Sequence, residues 1–264
     1  MMNKFVSVLL VLVLVILVLV GCGKEEEETA ETNLDLGSGT KENLPVSLEL
    51  LIHYAERSKE IYDTGGSQKD EVDFTVADNG TITVITIRGT ANQSNVTSDL
   101  DAALVSDVRS GVRLHRGFRS EASIIYVIIS RNNSLQRTVH ITGHSLGGAI
   151  ASIIGRWMEL ENGNNHDITV FSFGAPSVSN SRFPYGKPRH WRVANETDPI
   201  TFLPIFPYIH SGTYVNPQTL NWGRDNDNGS IDNEYNAGSN HYIAKYVELL
   251  KGNYTIQNYG NIRK

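Results

Sequence analysis

The sequence predicts an α/β fold, with a predominantly parallel central sheet, flanking helices and an antiparallel edge. Two observations lead there. Short apolar, β-branched runs alternate with longer stretches of helical periodicity, and an early pair of alternating segments is joined by a tight-turn signal.

The elements follow in chain order. Pro45 suits the first turn of a helix, on which Leu48, Leu51, Ile52, Ala55 and Tyr62 recur along one face until Gly65-Gly66 ends it. Residues 72–77 and 81–88 alternate and are rich in β-branched side chains. With Asp78-Asn79-Gly80 between them they form a hairpin. Residues 121–129 have helical spacing, although their isoleucines also suit a strand. Residues 138–142 form a short buried strand and 146–160 a helix of small and apolar residues. Strands at 168–173 and 190–194 follow, and a helix over 242–250 closes the chain. Residues 221–240, rich in Asn, Asp and Gly, form a surface loop. Their acids do not follow the fixed ligand ladder of an EF-hand loop, so no metal is assigned there and no cofactor is implied.

The amino-terminal segment speaks to location. Lys4 precedes an apolar stretch that stops at Gly21-Cys22 and is shorter than the ~20 residues of a spanning helix, the pattern of an export signal. Leu19-Val20-Gly21-Cys22 resembles the lipobox of bacterial lipoproteins, which implies a signal peptide over 1–21, cleavage before Cys22 and lipid on its sulfur. The expected location is then the membrane surface of a bacterium, at the cell surface or the periplasmic face. An uncleaved signal anchor shares the same beginning. Cys22 is the sole cysteine, so the exported body has neither a disulfide nor a thiolate metal site. Residues 22–43, with Glu25 to Glu28 in one acidic run, form a flexible tether, and 44–264 form one domain. A net charge of −6 and an isoelectric point near 5.8 argue against nucleic acid as the partner.

Chemistry concentrates at Gly143-His144-Ser145-Leu146-Gly147-Gly148, which fits G-x-S-x-G. A serine hydroxyl becomes a strong nucleophile only when a base takes its proton, and it must project from the sheet to meet base and substrate. A sharp strand-to-helix turn achieves this, glycines relieve the crowding, and the helix start offers backbone N–H groups to a developing oxyanion. The predicted strand and helix flank Ser145 as that geometry requires.

A triad also needs a carboxylate and a base, ordered Ser…Asp…His along the chain in this architecture. Glu196 and Asp198 both lie just past the predicted strand 190–194, where catalytic loops of open sheets gather, and Pro199 stiffens the turn after Asp198. The histidines beyond Asp198 are His210, which also suits a strand start, and His241, placed before the last helix.

These residues resemble the class 3 lipases, the group that includes the fungal triacylglycerol lipases. The shared segments are Arg88-Gly89-Thr90, Asn95 to Leu100, His115-Arg116-Gly117-Phe118 and GHSLGG. They continue with Phe171 to Pro176, Asn195 to Pro199, Leu203-Pro204 and His241-Tyr242, in one order over nearly the whole predicted domain. The resemblance implies an α/β-hydrolase fold, Ser145 as nucleophile, Asp198 as acid and His241 as base. It also implies an oxyanion hole from the backbone N–H groups of Thr90 and Leu146. His210, His115 and His144 fall at family positions without a triad role. Arg88 and Asp99 fall at the ends of the segment that is a mobile lid in the family, and we read them as a hinge charge pair. That segment is polar here, from Ala91 to Val96, where family lids carry apolar residues. The expected activity is hydrolysis of carboxylic esters, foremost acylglycerols. Phospholipids or short-chain and hydroxycinnamate esters are alternative substrates, and an inactive surface-anchored binding lipoprotein is the alternative outside enzymes. Ile200 to Ile209, with Phe202, Leu203, Ile205 and Phe206, would wall an acyl pocket or simply pack.

Overall fold

The computed structural model describes residues 38–64, 73–90, 103–131, 135–161, 165–183, 190–224 and 237–262. Cys22 and the signal segment, the tether up to residue 37, Gly65-Gly66, the segment from Ala91 to Asp99 and residues 225–236 lie outside these.

Helix α1 spans Leu48–Thr64; of the expected face Leu48, Leu51 and Ala55 are buried and Ile52 and Tyr62 half-buried, while Tyr54, Ser58 and Ile61 complete the buried stripe. Strands β1 (Phe74–Asp78) and β2 (Ile82–Ile87) form the antiparallel hairpin. Its turn is held by side chains: Asp78 accepts from the Gly80 amide (2.6 Å) and Asn79 from the amides of Thr81 and Ile82 (3.0 and 2.8 Å). Next come β3 (Leu104–Ser106) and β4 (Arg113–His115), a separate two-stranded sheet. Its connecting turn is fastened by buried Asp107, which accepts from Ser110 and from Trp157 Nε1 (2.8 Å) and pairs with Arg119 (3.0 Å).

Helix α2 (Arg116–Ser130) starts earlier than its apolar spacing suggests, because the His115 ring accepts the Phe118 amide (3.3 Å) and caps it. Strand β5 (Thr138–His144), helix α3 (Leu146–Glu161), strand β6 (Asp167–Phe173) and strand β7 (His190–Val193) follow as anticipated. Short strands β8 (Thr213–Val215) and β9 (Trp222–Gly223), helix α4 (Ala237–His241) and helix α5 (Ile243–Ile262) complete the chain. The region 221–240 is thus not loop throughout, since β9 and α4 occupy its ends. Helix α5 outruns its predicted end at 250, and Asn253 fastens the extension by donating to the carbonyls of Pro217 (2.9 Å) and Gln218 (3.0 Å).

The main sheet has seven strands in the order β1-β2-β5-β6-β7-β8-β9, parallel from β2 to β8. The antiparallel edge expected from the hairpin is present, and β8 with β9 adds an antiparallel pair at the opposite edge. The paired chain begins before Leu44: Gly39 exchanges two backbone hydrogen bonds with Trp222 (3.0 Å each), and Trp222 Nε1 donates to Asn43. No helix among the described residues is long and apolar enough to cross a membrane.

Apolar side chains cover both sheet faces. On one, Ile85, Ile87, Val139, Ile141 and Val170 pack with residues of α2 and α3 such as Ile125, Ile150 and Trp157. On the other, Phe171, Phe173, Trp191, Val193 and Val215 pack with Leu51 of α1 and with Tyr246 and Leu250 of α5. Each fully buried aliphatic or aromatic side chain contributes roughly 1.5–3 kcal/mol, so these two layers fix the sheet edge on which the site is built.

Candidate active site

Strand β5 ends at His144 and α3 begins at Leu146, so Ser145 alone makes the turn, with φ at 56°. A left-handed φ at a residue bearing a side chain costs of order 1–3 kcal/mol, and the surrounding packing holds it there. Glycines permit the close approach. A Cβ on Gly143 would stand 2.4 Å from the Gly147 carbonyl carbon, and one on Gly147 would stand 2.2 Å from the Ile87 oxygen. The Ser145 amide donates to the Phe173 carbonyl (2.9 Å), which fastens the turn to the neighbouring strand.

His241, at the end of α4, brings Nε2 to 2.8 Å from Ser145 Oγ. Its Nδ1 lies 2.8 Å from Asp198 Oδ2 and 3.0 Å from Oδ1. A carboxylate only accepts, so Nδ1 carries the proton and Nε2 is free to accept from the serine hydroxyl. All three side chains are buried: Ser145 at 1 %, Asp198 at 0 % and His241 at 3 % exposure. An enclosed carboxylate needs donors, and Asp198 has them. Besides His241 it accepts from the Ile200 amide (2.9 Å) and from the Tyr246 hydroxyl (2.6 Å). Burial, then the neighbouring Asp198 charge, pushes the Tyr246 phenol well above its ordinary value, so it stays a donor. Gly174, with φ at 57°, makes room, since a Cβ there would meet Asp198 Oδ2 at 2.9 Å.

The acid is placed by local chemistry after β7. Asp198 N–H donates to the Asn195 carbonyl (2.9 Å), and its side chain caps the 3-10 turn Pro199–Phe202, whose first position Pro199 suits. Glu196, the other candidate, is exposed and accepts from Tyr214 (3.1 Å) and Asn216 (2.9 Å). His210 donates Nε2–H to the Thr201 carbonyl (2.6 Å), and burial drives it well below the ordinary histidine range, so it stays neutral and steadies the loop beyond the acid. The structure therefore brings together Ser145, Asp198 and His241, with Glu196 and His210 turned to other tasks. His115 caps α2 and stacks on Phe118 (3.8 Å between ring centroids). Arg88 pairs with Asp73 (2.9 Å).

Thr90 follows β2 by way of Gly89, whose position lies against the site: a Cβ there would be 3.3 Å from Ser145 Cβ. Leu146 opens α3, and the helix ladder leaves its N–H without an acceptor. Among the residues that hold the acid, the one that sequence reasoning missed is Tyr246. On an apolar helix face it reads as core, and only its carboxylate neighbour reveals the second task. Among the described residues no cluster of three or more His, Cys, Asp or Glu side chains is arranged to hold a metal.

A serine at positive φ between a parallel strand and a helix, facing a His–Asp pair supplied later in the chain, is the arrangement of serine hydrolases on the α/β-hydrolase fold. Residues 84–208, just under half of the chain, match the family described as Lipase (class 3). The chain is 26 % identical over 141 residues to a secreted mono- and diacylglycerol lipase of Fusarium solani, covering 48 % of this chain and 41 % of that one. It is 32 % identical over 134 residues to the chloroplastic/mitochondrial phospholipase A1 EG1 of Oryza sativa subsp. indica, covering 44 % and 28 %. It thus spans less than half the length of these curated relatives. A crystal structure of a lipase from Rhizopus microsporus var. chinensis superimposes with a TM-score of 0.56 at 18 % identity, over 79 % of this chain and 87 % of that one. That likeness is one of fold.

Proposed function

We propose that this chain hydrolyses carboxylic esters, with acylglycerols as the main substrate class, through an acyl-enzyme on Ser145. The observation that carries the reading is the unbroken hydrogen-bond series Ser145–His241–Asp198 at a strained turn. His241 Nε2 takes the Ser145 proton as Oγ bonds to the acyl carbon. The oxyanion is held by the N–H groups of Thr90 and Leu146, and His241 returns its proton to the departing alcohol. Water, deprotonated by the same histidine, then cleaves the acyl-enzyme, while Asp198 keeps the ring in its Nδ1–H form.

The acyl part of the reading is supported by the loop that follows the acid. Ile200 is buried at 4 % exposure, whereas Ile205 and Phe206 stand 69 % and 93 % exposed, an apolar rim of the kind that meets lipid. The match to a phospholipase A1 favours phospholipid as the second reading. The test is a chain-length series of p-nitrophenyl esters, acylglycerols and phospholipids, each below and above its solubility limit. Turnover of acylglycerols is the expected result. Turnover confined to phospholipids or to soluble short esters would replace this substrate class.

We also propose that lipid on Cys22 holds the enzyme at a bacterial membrane surface, a reading supported by the Leu19 to Cys22 motif. Cys22→Ser should move the protein from membrane to soluble fractions on cell lysis. An unchanged distribution would remove the lipid anchor from the proposal.

A further inference from the structure

Helix α1 meets strand β5 through polar side chains. The period of two along β5 sends Val139 and Ile141 into the α2–α3 layer and turns His140, Thr142 and His144 toward α1. Four helical residues rise about 6 Å and two strand residues about 6.6 Å, so positions four apart on α1 stay in step with positions two apart on β5. Three rungs result: the Tyr54 hydroxyl on His140 Nδ1, the Ser58 hydroxyl on that of Thr142 (2.9 Å) and the Tyr62 hydroxyl on His144 Nδ1 (3.0 Å). Apolar side chains would have sufficed to bury this seam.

The third rung continues beyond the seam. His144 Nε2 lies 2.6 Å from the backbone carbonyl oxygen of His241. A carbonyl only accepts, so Nε2 carries the proton. Burial, reinforced by the neighbouring His241, holds His144 far below the ordinary histidine range, so the ring is neutral and Nδ1 must accept. The Tyr62 O–H is then the donor. Its oxygen also faces the backbone N–H of Gly89, and a Cβ on Gly89 would stand 2.6 Å from that oxygen. Every donor and acceptor in the series has one assignment, running from Gly89, beside Thr90, to the main chain of His241.

We infer that α1 is a splint for the catalytic base, with Tyr62 and His144 as positioning residues that tie the Gly89-Thr90 segment to the backbone of His241 and keep oxyanion donor and base in register. Neither side chain hydrogen-bonds a reacting atom, and the His144 ring packs beside that of His241 with 4.8 Å between centroids. A relative shift of about 1 Å between catalytic groups costs on the order of 10²-fold in rate, so a link that prevents it has measurable value.

The inference rests on His241 acting as base, and its test is built to fail separately from that reading. Glutamine at 144 places an amide N–H near the position of the histidine Nε2, retaining the donor to His241. Asparagine places its amide near Nδ1, so the partner of Tyr62 is kept and the bond to His241 is lost. With p-nitrophenyl butyrate, His144→Asn should lower kcat about tenfold with KM changed less than about threefold, whereas His144→Gln, which gives up only the acceptor for Tyr62, should lose no more than about threefold. Tyr62→Phe, which removes one oxygen and keeps the packing, breaks the same rung as His144→Gln and should lower kcat about threefold. Equal loss in the Asn and Gln variants, at equal melting temperature, overturns the inference. A Tyr62→Phe protein with wild-type kcat does so too, even where the 144 variants do not fold. If Ser145→Ala retains activity, it is instead the proposed mechanism that falls.

Discussion

Turnover of p-nitrophenyl butyrate by the Ser145→Ala protein is expected to be at least ~10⁴-fold slower than by the wild type, since a triad acts as a unit and loses nearly everything with its nucleophile. The expectation follows from geometry. Ser145 Oγ is the group that His241 Nε2 touches, at 2.8 Å. The hydroxyl of Ser172, also buried near the sheet edge, is engaged with His190 (2.7 Å) and offers no substitute. Alanine accepts the left-handed turn no worse than serine, so the variant should fold, with the melting temperature as the control. A rate within tenfold of wild type would remove Ser145 from the mechanism. A wild-type protein that turns over no ester at all would instead favour the binding-lipoprotein reading.

Gly147→Ala is expected to destabilise the fold by about 3 kcal/mol or more, the upper range of overpacking, and to lower the melting temperature by roughly 6–12 °C. The added Cβ would lie 2.2 Å from the Ile87 oxygen and 2.9 Å from the carbonyl carbons of Ile87 and Arg88. Main chain stands on both sides of that contact, so no side chain can rotate away and α3 must part from the end of β2. That end leads into Arg88-Gly89-Thr90, so kcat should fall as well, by ~10² if the Thr90 donor leaves its place. Melting within about 2 °C of wild type, at an unchanged kcat, would contradict this account of the turn.

How much of this could be read beforehand depends on element length and on what faces each residue. Strands β5 and β6 and helix α3 were legible because each is long enough for an apolar run to declare itself and is bounded by glycine or polar residues. Strands β3, β8 and β9 were not, since two or three residues leave no room for a period. The start of α2 was hidden because its cap is a histidine ring, an uncommon acceptor at that position. At the site, the G-x-S-x-G pattern and the chain order of the triad carried Ser145 unaided. Position alone left Glu196 beside Asp198 and His210 beside His241. What separates them is burial and partners: a carboxylate at 0 % exposure with a histidine on it, against an exposed one on a tyrosine and an asparagine. His144 and Tyr246 escaped for a related reason, because a polar residue in a core pattern declares its task only through the element packed against it.

The enclosure of Asp198 has one more consequence. At physiological ionic strength counter-ions screen charges over about 8 Å, but only where they can approach, and this carboxylate is wrapped by His241, Tyr246 and the Ile200 amide with no surface open to solvent. Added salt leaves its hold on the imidazole intact. Charges that ions can reach are screened, so salt acts on how the protein approaches a charged surface. Ionic strength thus separates arrival from bond cleavage: what changes with salt is the encounter with substrate, and what stays constant is the proton transfer at Ser145.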